Sequence, residues 1–183
     1  MLEANMFDTR TLRDAYGHFP TGVVAICAEI DGIPVGMAVS AFVPVSLEPP
    51  LLGVCVQLTS TTWPSLRGAH AIGVSVLGAD QVSHARQLAT KHTDRFQNLG
   101  VRVTPNGAVL LDDAEVWFAC HLADSFVAGD HEIALLHVDS IEFSDSEKNP
   151  MVFHGSQFHQ VLFQPTSPSD LDLPKLSPAN RSG

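Results

Sequence analysis

The sequence is poor in cysteine and in basic residues, and both shortages exclude classes of protein. Its 183 residues contain three cysteines, Cys27, Cys55 and Cys120, which are far apart and set among apolar neighbours. This odd, scattered set favours buried reduced thiols over a disulfide framework, and it predicts a cytoplasmic location. With 10 Lys and Arg against 20 Asp and Glu, the chain repels nucleic acid and anionic membranes, so we expect neither as a partner.

Long apolar runs and several functional motifs are also missing. No segment approaches the roughly 18 apolar residues of a membrane span, and Met1 to Arg13 lacks the apolar centre of a signal peptide. The glycine-rich loops of doubly wound nucleotide folds and of P-loop proteins are absent. Residues 73–77 begin like the nucleophile turn of a hydrolase, but Leu77 stands where that turn needs glycine. We therefore expect neither a hydrolase nor a classical nucleotide fold.

The histidines form no ligand motif, although there are nine of them. His131 and Glu132 begin the metalloprotease signature, yet Leu135 occupies the position of its second histidine. The sequence therefore predicts no metal site.

Short apolar segments make up most of the chain. A hydrophobic content of 45% over 183 residues suits one globular domain with a substantial core. We assign this domain to residues 1–163. Residues 164–183 are rich in Pro, Ser and Asp, and we expect a tail that is mobile or packed on a partner subunit.

The segment pattern predicts a mainly β fold with helical additions, which is typical of a barrel. Asp31-Gly32 is a hairpin signal between two of the strands, and residues 51–58 read as a central strand buried on both faces. Helices are expected from Asp8 or Thr9 to Gly17, over residues 60–68, and from an Asp80 cap to Ala89. Strands are expected over residues 22–30, 34–45, 51–58, 71–77, 114–126, 133–143, 151–153 and 157–163.

One region suits a flat aromatic cofactor with a phosphate. Between Gly36 and Pro50, the small residues Ala38 and Ala41 would let a ring approach the backbone. Prolines in the same segment leave backbone groups outside the strand ladder. The Ser-Thr-Thr-Trp segment at residues 60–63 opens a helix and offers amides and hydroxyls to a phosphate. These pieces together suit flavin mononucleotide.

The same segments resemble the short-chain flavin reductase family. The resemblance extends from Phe7 to Val161. It is carried by Phe19-Pro20-Thr21-Gly22-Val23, by Gly36 to Pro50, by Ser60 to Trp63, by Asp94-Arg95-Phe96, by Cys120 and by Gly129-Asp130-His131. It implies an FMN-binding split β-barrel of Greek-key-like topology and a homodimer with flavin sites close to the subunit interface.

By this resemblance the protein would be an NAD(P)H:flavin oxidoreductase. It would pass hydride from NADH or NADPH to FMN or FAD and supply reduced flavin to a partner flavin-dependent monooxygenase. Two alternatives stay open, a non-catalytic flavin-binding redox module and another split-barrel flavoenzyme such as a pyridoxamine-phosphate oxidase type. The second would need a cluster of Lys and Arg that ten basic residues hardly supply.

The resemblance also implies which residues form the site. The flavin ring and ribityl chain would be bordered by Met37, Ala38, Val39, Ser40, Ala41 and Ser46. The phosphate would meet Ser60, Thr61, Thr62 and Trp63, while Arg95 and Phe96 complete the pocket. His131 would lie beside the nicotinamide as the catalytic-site residue. The family often has Thr and Ser where Ala38 and Ala41 stand, so backbone contacts would replace two side-chain donors here.

Overall fold

The computed structural model describes residues 7–90, 94–146 and 148–161, and the tail predicted at residues 164–183 lies outside them. Within these residues there are three α-helices, α1 (Thr9–Gly17), α2 (Trp63–Arg67) and α3 (Val82–Ala89), and a 3₁₀ helix, Ala79–Gln81. The strands are β1 (Thr21–Gly22), β2 (Val24–Ile30), β3 (Ile33–Val39), β4 (Phe42–Leu47), β5 (Pro50–Gln57), β6 (Ile72–Val76), β7 (Val101–Val103), β8 (Val109–Leu111), β9 (Val116–Ala128), β10 (His131–Phe143), β11 (Met151–His154) and β12 (Gln157–Gln160). No helix among the described residues is long and apolar enough to cross a membrane.

The main sheet has seven antiparallel strands in the order β3-β2-β6-β9-β10-β5-β4. Its two edge strands are consecutive in the chain and are separated only by Ser40 and Ala41. The sheet must therefore curl until its edges approach each other at this break, where Cys55 N donates to Ala41 O at 3.0 Å. The barrel is split rather than closed, and the predicted mainly β split barrel is confirmed.

Local sequence explains the tightest turns. Asp31 and Gly32 have φ values of 52° and 78°, so the predicted hairpin turn uses the left-handed conformation that Asp and Gly tolerate best. Asp8 caps α1 as predicted, because its Oδ1 accepts from Thr11 N at 2.8 Å. The helix ends at Gly17.

Two apolar cores lie on opposite faces of the sheet. The interior core joins alternate residues of the seven strands to Trp63 and Leu66, so that α2 plugs one end of the barrel. The outer core lies between β2 and the elements that cover it, α3 and β8, through residues such as Cys27, Leu88 and Val109. β2 is consequently buried on both faces.

Several predicted elements differ from the structure. The single strand expected over residues 34–45 is two strands, β3 and β4, because the chain passes from one sheet edge to the other at residues 40–41. The strand predicted to be central, residues 51–58, is β5, which lies next to the edge strand β4. Asp80 does not cap α3. It lies in the 3₁₀ helix and pairs with Lys148 at 2.9 Å.

The β7–β8 hairpin, residues 101–111, was not predicted. Its strands have three residues each. β8 packs closely on β6, since a Cβ at Gly73 would overlap the Val109 carbonyl oxygen.

Candidate functional site

A cleft of about 510 Å³ opens beside the break between β3 and β4. This volume lies within the range of typical small-ligand sites. The break forms one wall, the end of β5 and the loop after it form a second, and the C-terminal end of α3 forms a third. Its lining residues are Met37, Ala38, Val39, Ser40, Ala41, Cys55, Val56, Gln57, Thr59, Ser60, Thr61, Thr62, Leu88, Ala89, Thr90, Arg95 and His131.

The cleft brings together most of the side chains predicted for the site. Those that line it are Met37, Ala38, Val39, Ser40, Ala41, Ser60, Thr61, Thr62, Arg95 and His131. They come from four separate parts of the sequence, and only the tertiary fold places them in one cleft. Their binding roles stay predictions.

Three predicted residues lie outside the lining. Ser46 is near the far end of β4, opposite Leu51. Trp63 is turned into the barrel interior and is 3% exposed. Phe96 packs against the outer core. Trp63 and Phe96 therefore belong to the two apolar cores rather than to the lining of the cleft.

The cationic corner of the cleft is built around Arg95. Its Nη1 donates to Thr62 Oγ1 at 2.7 Å and to Gly36 O at 3.1 Å. Among the described residues, no carboxylate forms an ion pair with Arg95. A fixed guanidinium without a carboxylate partner, beside a hydroxyl, is a suitable site for a phosphate.

The loop that carries Arg95 is held by α3. Gln87 Nε2 donates to the carbonyl oxygens of Arg95 and Gln97 at 3.0 and 2.8 Å. One side chain thus fixes the backbone on both sides of Phe96. This anchoring orders Arg95 before any ligand arrives, which lowers the entropy cost of binding.

The polar segment before α2, residues 60–62, links the cationic corner to β3. Ser60 Oγ accepts from Trp63 N at 3.1 Å and donates to Met37 Sδ at 3.7 Å. Because α2 has only five residues, its dipole is small. Hydroxyls and backbone amides, rather than the dipole, are the groups at this end that could bind an anion.

His131 occupies the rim of the cleft at the first position of β10. Its Nδ1 lies 2.7 Å from Asp130 Oδ1. Because an ionised carboxylate only accepts hydrogen bonds, Nδ1 carries the hydrogen and Nε2 is left for a ligand. The hydrogen bond from His131, together with its charge when protonated, lowers the pKa of Asp130 below its usual value.

A buried carboxylate lies behind His131. Glu132 Oε2 accepts from Trp63 Nε1 at 3.0 Å, and Arg67 Nε lies 3.4 Å from Oε1. Ser125, Trp63 and Arg67 lower the pKa of Glu132, although burial opposes them. Glu132 belongs to β10 and Trp63 to α2. Their hydrogen bond therefore links the strand that begins at His131 to the helix beside the cationic corner.

Seven lining residues were not predicted: Cys55, Val56, Gln57, Thr59, Leu88, Ala89 and Thr90. The β5 residues pair with the start of β10, where Gln57 is opposite His131. Thr90 ends α3, and its hydroxyl bonds Gln87 O at 2.8 Å. A polar residue after the amphipathic helix α3 was the available signal, and it does not distinguish a wall of the cleft from an ordinary helix cap.

Comparison with known proteins identifies the family. Residues 16–162 match the model of the "Flavin reductase like domain". This chain belongs to that family. The match spans the whole cleft, from the strand break to His131, so the family domain and the candidate site coincide.

Individual members of the family show how far the similarity extends. A probable flavin reductase of Rhizobium meliloti is 36% identical over 144 residues, covering 78% of this chain but only 46% of that protein. The reductase subunit HsaB of a flavin-dependent monooxygenase from Rhodococcus jostii is 31% identical, covering 91% of this chain and 85% of the subunit. The crystallised NADH:FAD oxidoreductase SgcE6 of Streptomyces globisporus superposes with a TM-score of 0.79 at 31% identity, covering 88% of this chain and 98% of that one.

Proposed function

We propose that this protein is an NAD(P)H-dependent flavin reductase that supplies reduced FMN or FAD to a partner flavin-dependent monooxygenase. One observation carries the proposal: the cleft joins a fixed arginine, an open break in the strand and a rim histidine. Family membership supports the same reaction class. HsaB, the Rhodococcus jostii relative, is a monooxygenase reductase subunit, which supports the role of the partner.

The strand break suits the edge of a flavin ring. Ser40 and Ala41 lie between two strands and outside both, so part of their backbone is free of the ladder. Ala38 and Ala41 present only methyl groups, which leaves room for a flat ring to lie against the chain. Backbone groups here would form the hydrogen bonds to the ring that larger polar side chains would otherwise form.

The Arg95 corner suits the flavin phosphate. Arg95 Nη1 already donates to Thr62 Oγ1. The guanidinium and the hydroxyl can both donate to phosphate oxygens. The whole chain has a formal net charge of −10, so attraction for an anion must come from local groups. Arg95 meets that requirement.

A flavin held in this cleft would supply the redox chemistry, as the acceptor of a hydride from a reduced nicotinamide. The protein would hold the two rings in a stack that is oriented for the transfer. His131 Nε2, held in place through Asp130, would contact the nicotinamide amide at the rim. No protein nucleophile takes part.

The outer face of the sheet beside the cleft suits a second copy of the chain. Val43 and Val45 of β4 are 52% and 49% exposed, and Phe126 of β9 is 51% exposed. β5 and β10 run between β4 and β9, and they carry Cys55 and Ile133 on the same outer face. Such a contiguous apolar face favours burial in a homodimer with the site close to the interface.

A cytoplasmic location remains our proposal. The three cysteines are free, and Cys27 and Cys120 are buried, as expected for thiols in a reducing compartment. Burial is the main cause that raises the pKa of Cys120 to about 12, so this thiol is inert as a nucleophile.

An anaerobic titration tests the function. NADH and NADPH are added separately to the protein with FMN, FAD or riboflavin, and the loss of oxidised flavin absorbance is followed. We expect reduction well above the protein-free rate with at least one pair. If no pair reacts, the enzyme reading is wrong. Flavin that stays bound through gel filtration but turns over slowly would instead identify a redox module.

A further inference from the structure

Three potential metal ligands converge on the outer face of the barrel, away from the cleft. His121 Nδ1 lies 2.9 Å from the Asp139 carboxylate, and His137 Nδ1 lies 3.2 Å from the same group. The ligand atoms of the three residues all lie within 4.8 Å of one another. The two imidazole rings are 4.9 Å apart at an angle of 31°.

The sheet itself builds this cluster. His121 of β9 and His137 of β10 are directly opposite each other in the register. The register shifts between Val138 and Ser140, so that Asp139 is the extra residue of a β-bulge. A bulge re-aims the side chain it carries, and here the carboxylate meets both histidines.

The donor set matches a known coordination type. Two imidazoles and one carboxylate are ligands that zinc prefers, with bonds of about 2.0 to 2.2 Å. In a tetrahedron with such bonds, ligand atoms lie about 3.3 Å apart. The nitrogen–oxygen distances of 2.9 and 3.2 Å are close to that spacing, and all the ligand atoms lie within 4.8 Å of one another, so side-chain shifts would admit an ion. A fourth position would remain for water.

The surroundings favour a cation. Among the described residues, the only ion-pair partners of Asp139 are these two histidines. In the single chain, all three side chains are between one-third and one-half exposed, so an ion can reach them from solvent. The formal net charge of −10 adds a general attraction for cations.

We propose that His121, His137 and Asp139 form a binding site for a divalent transition metal of the zinc type. The metal would clamp β9 to β10. Along β10, His137 is six residues from His131, or about 20 Å, so the ion would not touch a ligand in the cleft. The site is independent of the proposed reductase function, and it differs from the sequence-based prediction of no metal site.

The test is a Zn²⁺ titration of tag-free full-length protein by calorimetry, after treatment with chelator and desalting. We expect one Zn²⁺ per chain and a rise in melting temperature with added Zn²⁺. His137→Asn should weaken binding at least about a hundredfold, the upper end of what loss of an outer-shell partner costs. The Asn side-chain nitrogen can replace Nδ1 in the hydrogen bond to Asp139, so the fold is little disturbed.

Asp139→Asn gives a second variant, and circular dichroism establishes that each variant is folded. His154→Asn is the matched control. His154 lies between His18 and His159 with ring distances of 6.2 and 6.1 Å, the other group of neighbouring histidines among the described residues. This control should bind Zn²⁺ like the wild type.

The proposal is overturned by an absence of binding up to about 1 mM Zn²⁺, the weak end of specific affinities. Binding that survives in both cluster variants, or that is lost in His154→Asn, overturns it equally. Flavin reduction by the chelator-treated protein is measured in parallel. If the metal-free protein still reduces flavin, the two proposals are independent, and the failure of one leaves the other in place.

Discussion

The two halves of the seven-stranded sheet are covered very differently on their outer face. On the half formed by β3, β2 and β6, which we name the covered half, Ala25 and Cys27 are fully buried beneath α3 and β8. On the open half formed by β10, β5 and β4, outer residues such as Val43 are about half exposed. Both halves share one interior core, so the interior does not explain the difference. The covered half stabilises the fold, and the open half is available for a partner beside the cleft.

The largest effect is expected from a charge on the open half. Val45→Asp places an unpaired carboxylate in the proposed interface of each copy, at a cost of about 2 to 5 kcal/mol. The dissociation constant of the dimer should rise at least about thirtyfold, which sedimentation equilibrium measures. Val103→Asp is the control, because Val103 is 42% exposed but belongs to β7. Equal dissociation of both variants would contradict the assignment of the interface.

A methyl group added to each half tests the same comparison inside one chain. Gly73→Ala should destabilise the protein by about 3 kcal/mol, at the upper end for overpacking, because its Cβ meets the backbone of β8. At Gly53→Ala the two tight contacts are with side-chain atoms of Val45 and Val43 at 3.0 and 3.2 Å, which can move on the open edge, and the Val43 carbonyl oxygen at 3.6 Å is at an ordinary contact distance. Urea unfolding compares them. A Gly53→Ala loss as large as that of Gly73→Ala would show that the open half is equally rigid.

The cleft connects the two halves, and substitution of Arg95 tests whether its cationic corner binds the flavin phosphate. Arg95→Ala should weaken FMN binding by about 1.5 to 3 kcal/mol, or roughly ten- to a hundredfold, because a charged hydrogen bond is lost. Riboflavin, which has no phosphate, should lose little affinity. Fluorescence titration measures both ligands. The double variant that also carries Thr62→Ala should lose more FMN affinity, with no further loss of riboflavin affinity.

Arg102→Ala is the matched control for that measurement. Arg102 pairs with Glu142 at 2.7 Å and stacks on Trp117, away from the lining of the cleft. It should leave FMN affinity unchanged. A similar loss for FMN and riboflavin in Arg95→Ala would place the phosphate elsewhere.

The smallest effect is expected at the rim of the cleft. His131→Ala should remove interactions worth about 1 to 2 kcal/mol, so that kcat/KM for the nicotinamide falls roughly five- to thirtyfold. Flavin affinity and Tm should change little. Asp130→Asn, which keeps an acceptor for Nδ1 but removes the charge, should cause a weaker loss of the same kind. A lower Tm with intact nicotinamide kinetics would make His131 a purely structural residue.

Local patterns predicted most of the elements. The Asp31-Gly32 turn, the Asp8 cap and the strands around Gly129 are fixed by neighbours in sequence, so propensity and turn chemistry suffice. The β7–β8 hairpin escaped prediction although residues 104–107 carry a Pro-Asn-Gly turn signal, because three-residue strands show no usable periodicity. Trp63 and Phe96 were predicted in the lining, yet both are turned toward apolar cores. Motif proximity does not show which way a side chain points.

By itself the sequence determined the β class of the fold, the position of the cleft motifs and the family resemblance, because these depend on local pattern and on short segments read together. Only the tertiary structure decided that residues 34–45 divide between two sheet edges, that Arg95 reaches Thr62, and that His121 faces His137. Each of these joins residues that are distant in sequence or opposite in a sheet. The order of strands, and the register of strands that no tight turn joins, arise from the packing of the whole sheet and are not encoded in a local segment.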